Sequence, residues 1–161
     1  GLSLTTHYSE INENVHAYAL GGHRHQPEIS QELSLLNGEE IQVTFTPHLI
    51  PMTRGILSTC YAMLSDEMTD NDMDNIVAVY QDFYSNKPFV DVTTQAPQTK
   101  HTLGNNKCLV YPVVNKTTRR LTVISCLDNL VKGAAGAAVQ NMNLMCGLPE
   151  DMALTGLAVY P

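Results

Sequence analysis

The sequence His-Arg-His-Gln-Pro-Glu-Ile at residues 23–29 places two imidazoles and a guanidinium immediately before a predicted helix. His23 and His25 are two residues apart, so on an extended segment both side chains project to the same side. The free N–H groups at a helix start favour a nearby anion. This pattern is typical of acid–base chemistry on a negatively charged substrate. A polar loop with a surface histidine pair fits the same residues, and both interpretations stay open at this point.

The helix itself is predicted over residues 27–37. Pro27 is compatible with the first helical turn, and Ile29, Leu33 and Leu36 recur at the spacing of one helix face. Asn37 and the glycine after it form a C-terminal stop signal.

Shorter elements are predicted on both sides of this helix. Residues 15–20 alternate weakly and indicate a short strand, and two glycines then form a hinge before the histidines. Tyr18 belongs either to a mobile lid over the substrate or to an edge strand. Residues 41–45 alternate cleanly and predict a half-buried strand.

A strand rich in apolar residues is predicted over residues 55–64, with Arg54 at its head. An arginine there could bind the carboxylate or phosphate of a substrate. It could equally pair with one of the acidic side chains of the protein.

The remaining chain predicts two further helices and three further strands. Their expected bounds are a helix from a capping box at 69–72 to residue 84, a strand at 89–92, a loop at 93–107, strands at 108–114 and 121–127 forming a hairpin, and a helix at 128–146 with Asp128 as its N-cap. The apolar side chains on one face of the first helix, Phe83 among them, are expected to pack in the core. Gly133 and Gly136 in the last helix predict a close approach by another backbone or a flat ligand, or simply tight helix packing. Neighbouring strands without helical crossovers favour an α+β domain with a mixed, mostly antiparallel sheet.

Composition narrows the possible functions. The chain has 161 residues, expected to form one domain, and a net charge of −7 with only nine scattered Lys and Arg. That balance argues against nucleic-acid binding and against an anionic membrane surface, and no apolar run is long enough for a membrane span. The four cysteines lie in apolar runs, so we expect buried, reduced thiols and a cytoplasmic protein. A chain that begins with glycine rather than methionine is expected to be a fragment or processed.

Three long motifs resemble the N-acetyl-γ-glutamyl-phosphate reductases, a family of arginine-biosynthesis enzymes. They lie at residues 23–29, 45–57 and 128–144, so the likeness runs nearly end to end. The resemblance implies a catalytic and dimerisation domain like the C-terminal domain of glyceraldehyde-3-phosphate dehydrogenase, with helices on one face of the sheet. It also implies an assembly of two or four copies.

The chemistry implied by the resemblance is reduction of an acyl phosphate. Family members convert N-acetyl-glutamyl 5-phosphate to the 5-semialdehyde and phosphate, using NADPH and a cysteine thiolate that forms a thioester. His25 corresponds to the acid–base partner of that cysteine, a role suited to imidazole. His23 and Tyr18 are expected to contact substrate, as is Arg54 from its charge and position. Asn129 resembles the asparagine that meets the nicotinamide amide.

The chain departs from the family in what it lacks. No strand is followed by a G-x-G-x-x-G loop, and no cysteine occupies the nucleophile motif. We therefore expect residues 1–161 to be one domain of a larger two-domain reductase and to be inactive alone. NADP is expected to bind mainly to the absent N-terminal Rossmann domain, against which helix 128–146 would pack.

Three alternatives remain open at the level of sequence. The substrate could be the one-carbon-longer acyl phosphate of lysine biosynthesis. The chain could be a dimerisation module, like that of aspartate-semialdehyde dehydrogenases, with no activity of its own. A zinc site at His23, His25 and His48 is a further possibility, although we expect no metal because no acid is placed to orient the ligands.

Overall fold

The computed structural model describes residues 4–159. Its regular elements, in chain order, are α1 (Tyr8–Ile11), β1 (His16–Ala17), α2 (Gln26–Asn37), β2 (His48–Leu49), β3 (Ile56–Met63), α3 (Asp70–Asp74), α4 (Ile76–Tyr84), β4 (Val90–Val92), β5 (Cys108–Asn115), β6 (Arg120–Leu127) and α5 (Gly136–Met145). Short 3-10 turns lie at Leu4–Thr6 and Thr99–Thr102, and a π-helical turn at Val131–Ala135 precedes α5. The chain divides into two compact units, the first ending at Thr53 and the second beginning at Arg54.

In the first unit, the helix predicted over residues 27–37 is confirmed as α2. It ends at Gly38, whose φ of 78° is the left-handed conformation that glycine adopts readily. The predicted strand at 15–20 is present only as β1, whose two residues pair antiparallel with β2.

The strand predicted over residues 41–45 is wrong. Ile41, Val43 and Phe45 are half-buried and alternate with exposed residues, as expected, but the segment pairs with no strand in the described chain. Helix α2 holds it instead, because Gln26 Nε2 donates to the Val43 carbonyl at 2.9 Å and the Ile41 N–H donates to Ser34 Oγ at 2.8 Å.

The second unit is built on a four-stranded sheet with the order β3-β6-β5-β4. Strands β5 and β6 form the predicted antiparallel hairpin, and β6 also pairs antiparallel with β3. Strand β4 pairs parallel with β5, which makes the sheet mixed. This confirms the predicted α+β class with a mostly antiparallel sheet.

The two faces of this sheet differ in exposure. Helix α4 packs against β4 and β5, and Val110 and Pro112 on the covered face are buried. On the opposite face, Leu57 is 51% exposed, Tyr61 68% and Met63 64%. Strand β3 is therefore an apolar but mostly open strand, whereas its composition predicted burial on both faces.

The predicted helix at 69–84 begins with the expected capping box, in which Thr69 Oγ1 accepts from the Asp72 N–H. It is interrupted at Asn75, whose φ and ψ of −101° and 16° separate α3 from α4. Met73 and Ile76 on its inner face are buried. Phe83, predicted to line the core, is 69% exposed.

The last helix begins later than predicted and is irregular at first. The Asp128 carboxylate accepts from the Leu130 and Val131 N–H groups, as an N-cap side chain does, but the helical turn itself begins at Val131 with Leu130 at its N-cap position. Bonds of the π type follow, such as that from the Ala135 N–H to the Leu130 carbonyl at 3.0 Å, and α5 then ends before Gly147.

A close approach occurs at Gly136, where a Cβ would overlap Asn106 Oδ1 and lie 2.8 Å from Val131. The close approach predicted at this glycine is therefore tight packing of the helix backbone against the Asn106 side chain and the preceding turn.

All four cysteines are free, but their predicted burial holds only in part. Cys126 is buried and Cys108 half-buried, whereas Cys60 and Cys146 are exposed. Among residues 4–159, none of the helices has the length and apolar character required to cross a bilayer.

Candidate active site

The residues predicted around the histidine motif lie together in the first unit. Four rings form a group that we call the histidine cluster: Tyr18, His23, His25 and Phe45. Ring centroids of His23 lie 5.6 Å from Tyr18, 4.7 Å from His25 and 5.3 Å from Phe45. His23 is thus the centre of the cluster, and Phe45, which the motif did not single out as a site residue, supports it.

A turn, rather than an extended segment, brings the two histidines together. The Gln26 N–H donates to the His23 carbonyl at 3.0 Å, and His25 has helical φ and ψ of −83° and −19°. The backbone N–H of His25 donates to His23 Nδ1 at 3.2 Å. Because a nitrogen that accepts a hydrogen bond carries no proton, the neutral His23 ring holds its proton on Nε2.

His25 occupies the N-cap position of α2 but does not cap the helix with its side chain. Its ring is exposed, whereas that of His23 is half-buried. The two imidazoles therefore differ in their surroundings. His23 Nδ1 is bonded within the turn, whereas the ring of His25 is exposed to solvent.

The other predicted site residues lie in the second unit, around a buried carboxylate. We call this group the Asp128 junction; its members are Arg54, Gly55, Gly104, Asp128 and Asn129. Arg54 Nη2 donates to Asp128 Oδ2 at 2.6 Å, and the Gly104 N–H donates to the same oxygen at 2.7 Å. The side chain of Asp128 is fully buried, while that of Arg54 is 32% exposed.

Asp128 remains ionised despite its burial. Burial alone would raise the pKa of the carboxyl group, but hydrogen bonds from Arg54 and from the backbone N–H groups of Gly104, Val131 and Leu130 together lower that pKa to about 2. The junction is therefore a carboxylate satisfied on both oxygens, which connects the head of β3 to the start of the last helix.

This lowered pKa predicts acid sensitivity of the second unit. The shift of the Asp128 pKa from 3.8 to about 2 corresponds to roughly 2 kcal/mol of stability. A depressed folded-state pKa contributes stability that is complete above the unfolded value and is lost as pH falls from about 4 to about 2. Urea unfolding of wild type and Asp128→Asn across this range should show a difference in unfolding free energy that narrows with falling pH. The control is Asp74→Asn, which removes an exposed ion pair with Lys116 and should change the free energy of unfolding little at any pH. If wild type stays more stable than Asp128→Asn by the same amount down to pH 2, the lowered pKa of Asp128 is contradicted.

Asn129 is half-buried and its amide is held in one orientation. Oδ1 accepts the Gly55 N–H at 2.7 Å, and among residues 4–159 the Nδ2 group has no hydrogen-bond partner. Both predicted residues of this unit, Arg54 and Asn129, are thus brought to one junction. The sequence indicated Asp128 as a helix cap but gave no signal that it pairs with Arg54, 74 positions away.

A second polar network lies beside the last helix. Gln140 Oε1 accepts from Lys132 Nζ at 2.7 Å and from Asn106 Nδ2 at 3.3 Å, and Gln140 Nε2 donates to Glu150 at 2.7 Å. Burial lowers the pKa of Lys132, while Cys108 and Glu150 act in the opposite direction. The described residues contain no group of three His, Cys, Asp or Glu side chains placed to hold a metal ion.

Comparison with known proteins now identifies the family. Residues 1–129 match the family model described as semialdehyde dehydrogenase, dimerisation domain. An N-acetyl-gamma-glutamyl-phosphate reductase of Dehalococcoides mccartyi is 55% identical over 155 residues, which are 96% of this chain and 45% of that protein. The enzyme of the same name from Pelotomaculum thermopropionicum is 52% identical over all of this chain and 46% of its own length. The chain thus spans about half the length of the curated relatives it matches.

A solved structure shares the fold. Aspartate semialdehyde dehydrogenase II from Vibrio cholerae superposes with a TM-score of 0.64 at 17% identity, over 86% of this chain and 42% of that one. The predicted fold and the resemblance to the reductases are both confirmed by these comparisons. The chain belongs to the family of semialdehyde dehydrogenase dimerisation domains.

Proposed function

We propose that this chain is the C-terminal half of an NADP-dependent N-acetyl-γ-glutamyl-phosphate reductase of arginine biosynthesis. The observation that carries the proposal is the histidine cluster, in which His23 holds the turn and leaves the ring of His25 exposed at the start of α2. The names of relatives 52–55% identical support the same reaction and favour the glutamyl over the longer aminoadipyl substrate. A cytoplasmic location is part of this proposal.

His25 acts in this proposal as the general acid–base group. A cysteine in the N-terminal half supplies the thiol, and His25 accepts its proton as sulfur attacks the acyl carbon and phosphate leaves. The ring of Tyr18 contacts that of His23, which in turn contacts that of His25, so in this proposal Tyr18 and His23 border the substrate. The anion-binding role expected for Arg54 is weakened by its ion pair with Asp128, and a different role is argued below.

Asn129 suits the cofactor role implied by the resemblance. NADPH supplies the hydride for reduction of the acyl group. A carboxamide presents both a donor and an acceptor, and Asn129 Nδ2, which has no partner within the described part of the chain, can donate to its oxygen. Most of the cofactor is held by the N-terminal Rossmann domain in this proposal, because this chain carries no glycine-rich phosphate loop.

Two apolar surfaces support the proposed partners. The open sheet face bearing Leu57, Tyr61 and Met63 suits pairing with a second copy, as in a dimer or a tetramer. Helix α5 exposes Met142 and Met145, and it lies beyond the residues matched by the dimerisation-domain family. We assign α5 to contact with the N-terminal Rossmann domain.

Complementation tests this function. The chain alone should give no NADPH from N-acetylglutamate semialdehyde, phosphate and NADP, whereas a mixture with a separately expressed N-terminal half should give NADPH at a rate that depends on both. Light scattering and circular dichroism establish that each half is folded and report the mass of the assembly. Activity of this chain alone would contradict the assignment of the thiol, and an inactive mixture of folded halves would favour the dimerisation module without catalysis.

A further inference from the structure

Arg54 and Gly55 form two adjacent contacts with Asp128 and Asn129. The ion pair joins Arg54 Nη2 to Asp128 Oδ2 at 2.6 Å, and the next residue of each segment makes the bond from the Gly55 N–H to Asn129 Oδ1 at 2.7 Å. Because both pairs are consecutive in sequence, the ion pair restrains the backbone that carries the second bond.

The backbone on either side of these contacts is also fixed. Gly55 has a φ of 108°, which a side chain would strain, and pairing of β3 with β6 begins at the next residue with Ile56 opposite Leu127. Beyond Asn129, the N–H groups of Leu130 and Val131 donate to Asp128 Oδ1 at 2.8 and 2.9 Å. Asn129 thus lies between two restrained segments.

The Asn129 amide has one orientation for this reason. Rotating it by 180° would set Nδ2 against the Gly55 N–H, and two donors would then face each other. The bond from Gly55 occupies one lone pair of the oxygen and fixes the side on which Nδ2 lies, so the amide presents Nδ2 as a donor in one direction. An asparagine without this restraint could offer either its oxygen or its nitrogen.

We propose that the Arg54–Asp128 ion pair is a positioning device for the Asn129 amide, which fixes Nδ2 as the donor to the carboxamide oxygen of the nicotinamide ring. The inference rests on the proposed function, since it names how this chain recognises the cofactor. It makes Arg54 a cofactor-positioning residue, in place of a contact to the substrate anion. A matched donor–acceptor pair at the carboxamide restricts the ring to one orientation toward the reacting carbon.

Steady-state kinetics of the full-length reductase that contains this chain test the inference. In the direction of NADPH formation, KM is measured separately for NADP and for inorganic phosphate. Arg54→Gln should raise KM for NADP about tenfold and leave KM for phosphate unchanged, because only cofactor alignment is lost. Arg54→Lys, which keeps a cation near Asp128, should recover part of the loss. A rise in KM for phosphate with KM for NADP unchanged would make Arg54 an anion contact and overturn the inference.

A double-mutant cycle separates positioning from a general structural effect. If Arg54 acts through Asn129, then Arg54→Gln should add little to the defect of Asn129→Ala, whereas additive defects would overturn the inference. Lys116→Gln breaks an exposed ion pair with Asp74 and should leave both KM values unchanged. A wild-type enzyme without NADP-dependent turnover would refute the proposed function itself, and with it this inference. If the wild-type enzyme is active but the defects of Arg54→Gln and Asn129→Ala are additive, the positioning role of Arg54 is refuted and the proposed function stands.

Discussion

Replacement of His25 by Asn in the full-length reductase should lower kcat by about 10²- to 10⁴-fold, the range for loss of a general acid–base group. The exposed ring of His25 makes no capping bond with α2, so its removal should leave the helix intact. The defect should therefore appear in turnover, with the melting temperature unchanged. Initial rates of NADPH formation and thermal unfolding followed by circular dichroism measure the two quantities.

The matched control is His7→Asn in the same unit. His7 is exposed, and its Nδ1 pairs only with Ser9 Oγ at 2.9 Å, so the same chemical change should leave kcat at the wild-type value. A His25→Asn enzyme with wild-type turnover would remove the acid–base assignment. It would return the histidine cluster to a structural role in the turn before α2.

Gly136→Ala should destabilise the second unit by about 2 kcal/mol, even though alanine is favoured over glycine in a helix by about 1 kcal/mol. The added methyl group would overlap Asn106 Oδ1 and lie 2.8 Å from both the side chain and the carbonyl of Val131. Because Asn106 is only 1% exposed, its side chain cannot move into solvent to make room for the methyl group. Urea denaturation followed by far-ultraviolet circular dichroism measures the loss.

Gly156→Ala is the control for this prediction, because a Cβ there meets nothing within 4 Å. The double variant Gly136→Ala/Asn106→Ala should recover part of the lost stability. Asn106 Oδ1 has no hydrogen-bond partner within residues 4–159, and although Asn106→Ala also removes the bond from Nδ2 to Gln140 Oε1, that oxygen still accepts from Lys132. A Gly136→Ala protein as stable as wild type would show that the packing at this helix turn is loose.

Elements specified by neighbouring residues were predictable from sequence. The stop after α2, the capping box at Thr69 and the β5–β6 hairpin each depend on residues close in the chain, and all three are present. Alternation over residues 41–45 correctly indicated which side chains are half-buried. It could not indicate a strand, because a strand also needs a neighbour for its backbone, and α2 side chains supply those bonds here.

The candidate site could be predicted only where its residues lie close together in the sequence. The resemblance indicated His25 and Asn129 as candidate site residues, and the turn does bring His23 against His25. The pairing of Arg54 with Asp128 joins residues 74 positions apart, and periodicity carries no information about such a contact. The open face of β3 escaped prediction for a related reason, since apolar composition does not by itself show whether a strand is covered within its own chain.

Strand β3 also has a consequence for handling the protein. It is an edge strand of its sheet, and its eight residues, Ile-Leu-Ser-Thr-Cys-Tyr-Ala-Met, contain no charge, proline or glycine. Segments of this composition at an unprotected edge template the addition of further strands and can nucleate cross-β aggregation. Strand β3 therefore exposes a segment whose composition favours strand addition, without the charged residues that protect other sheet edges.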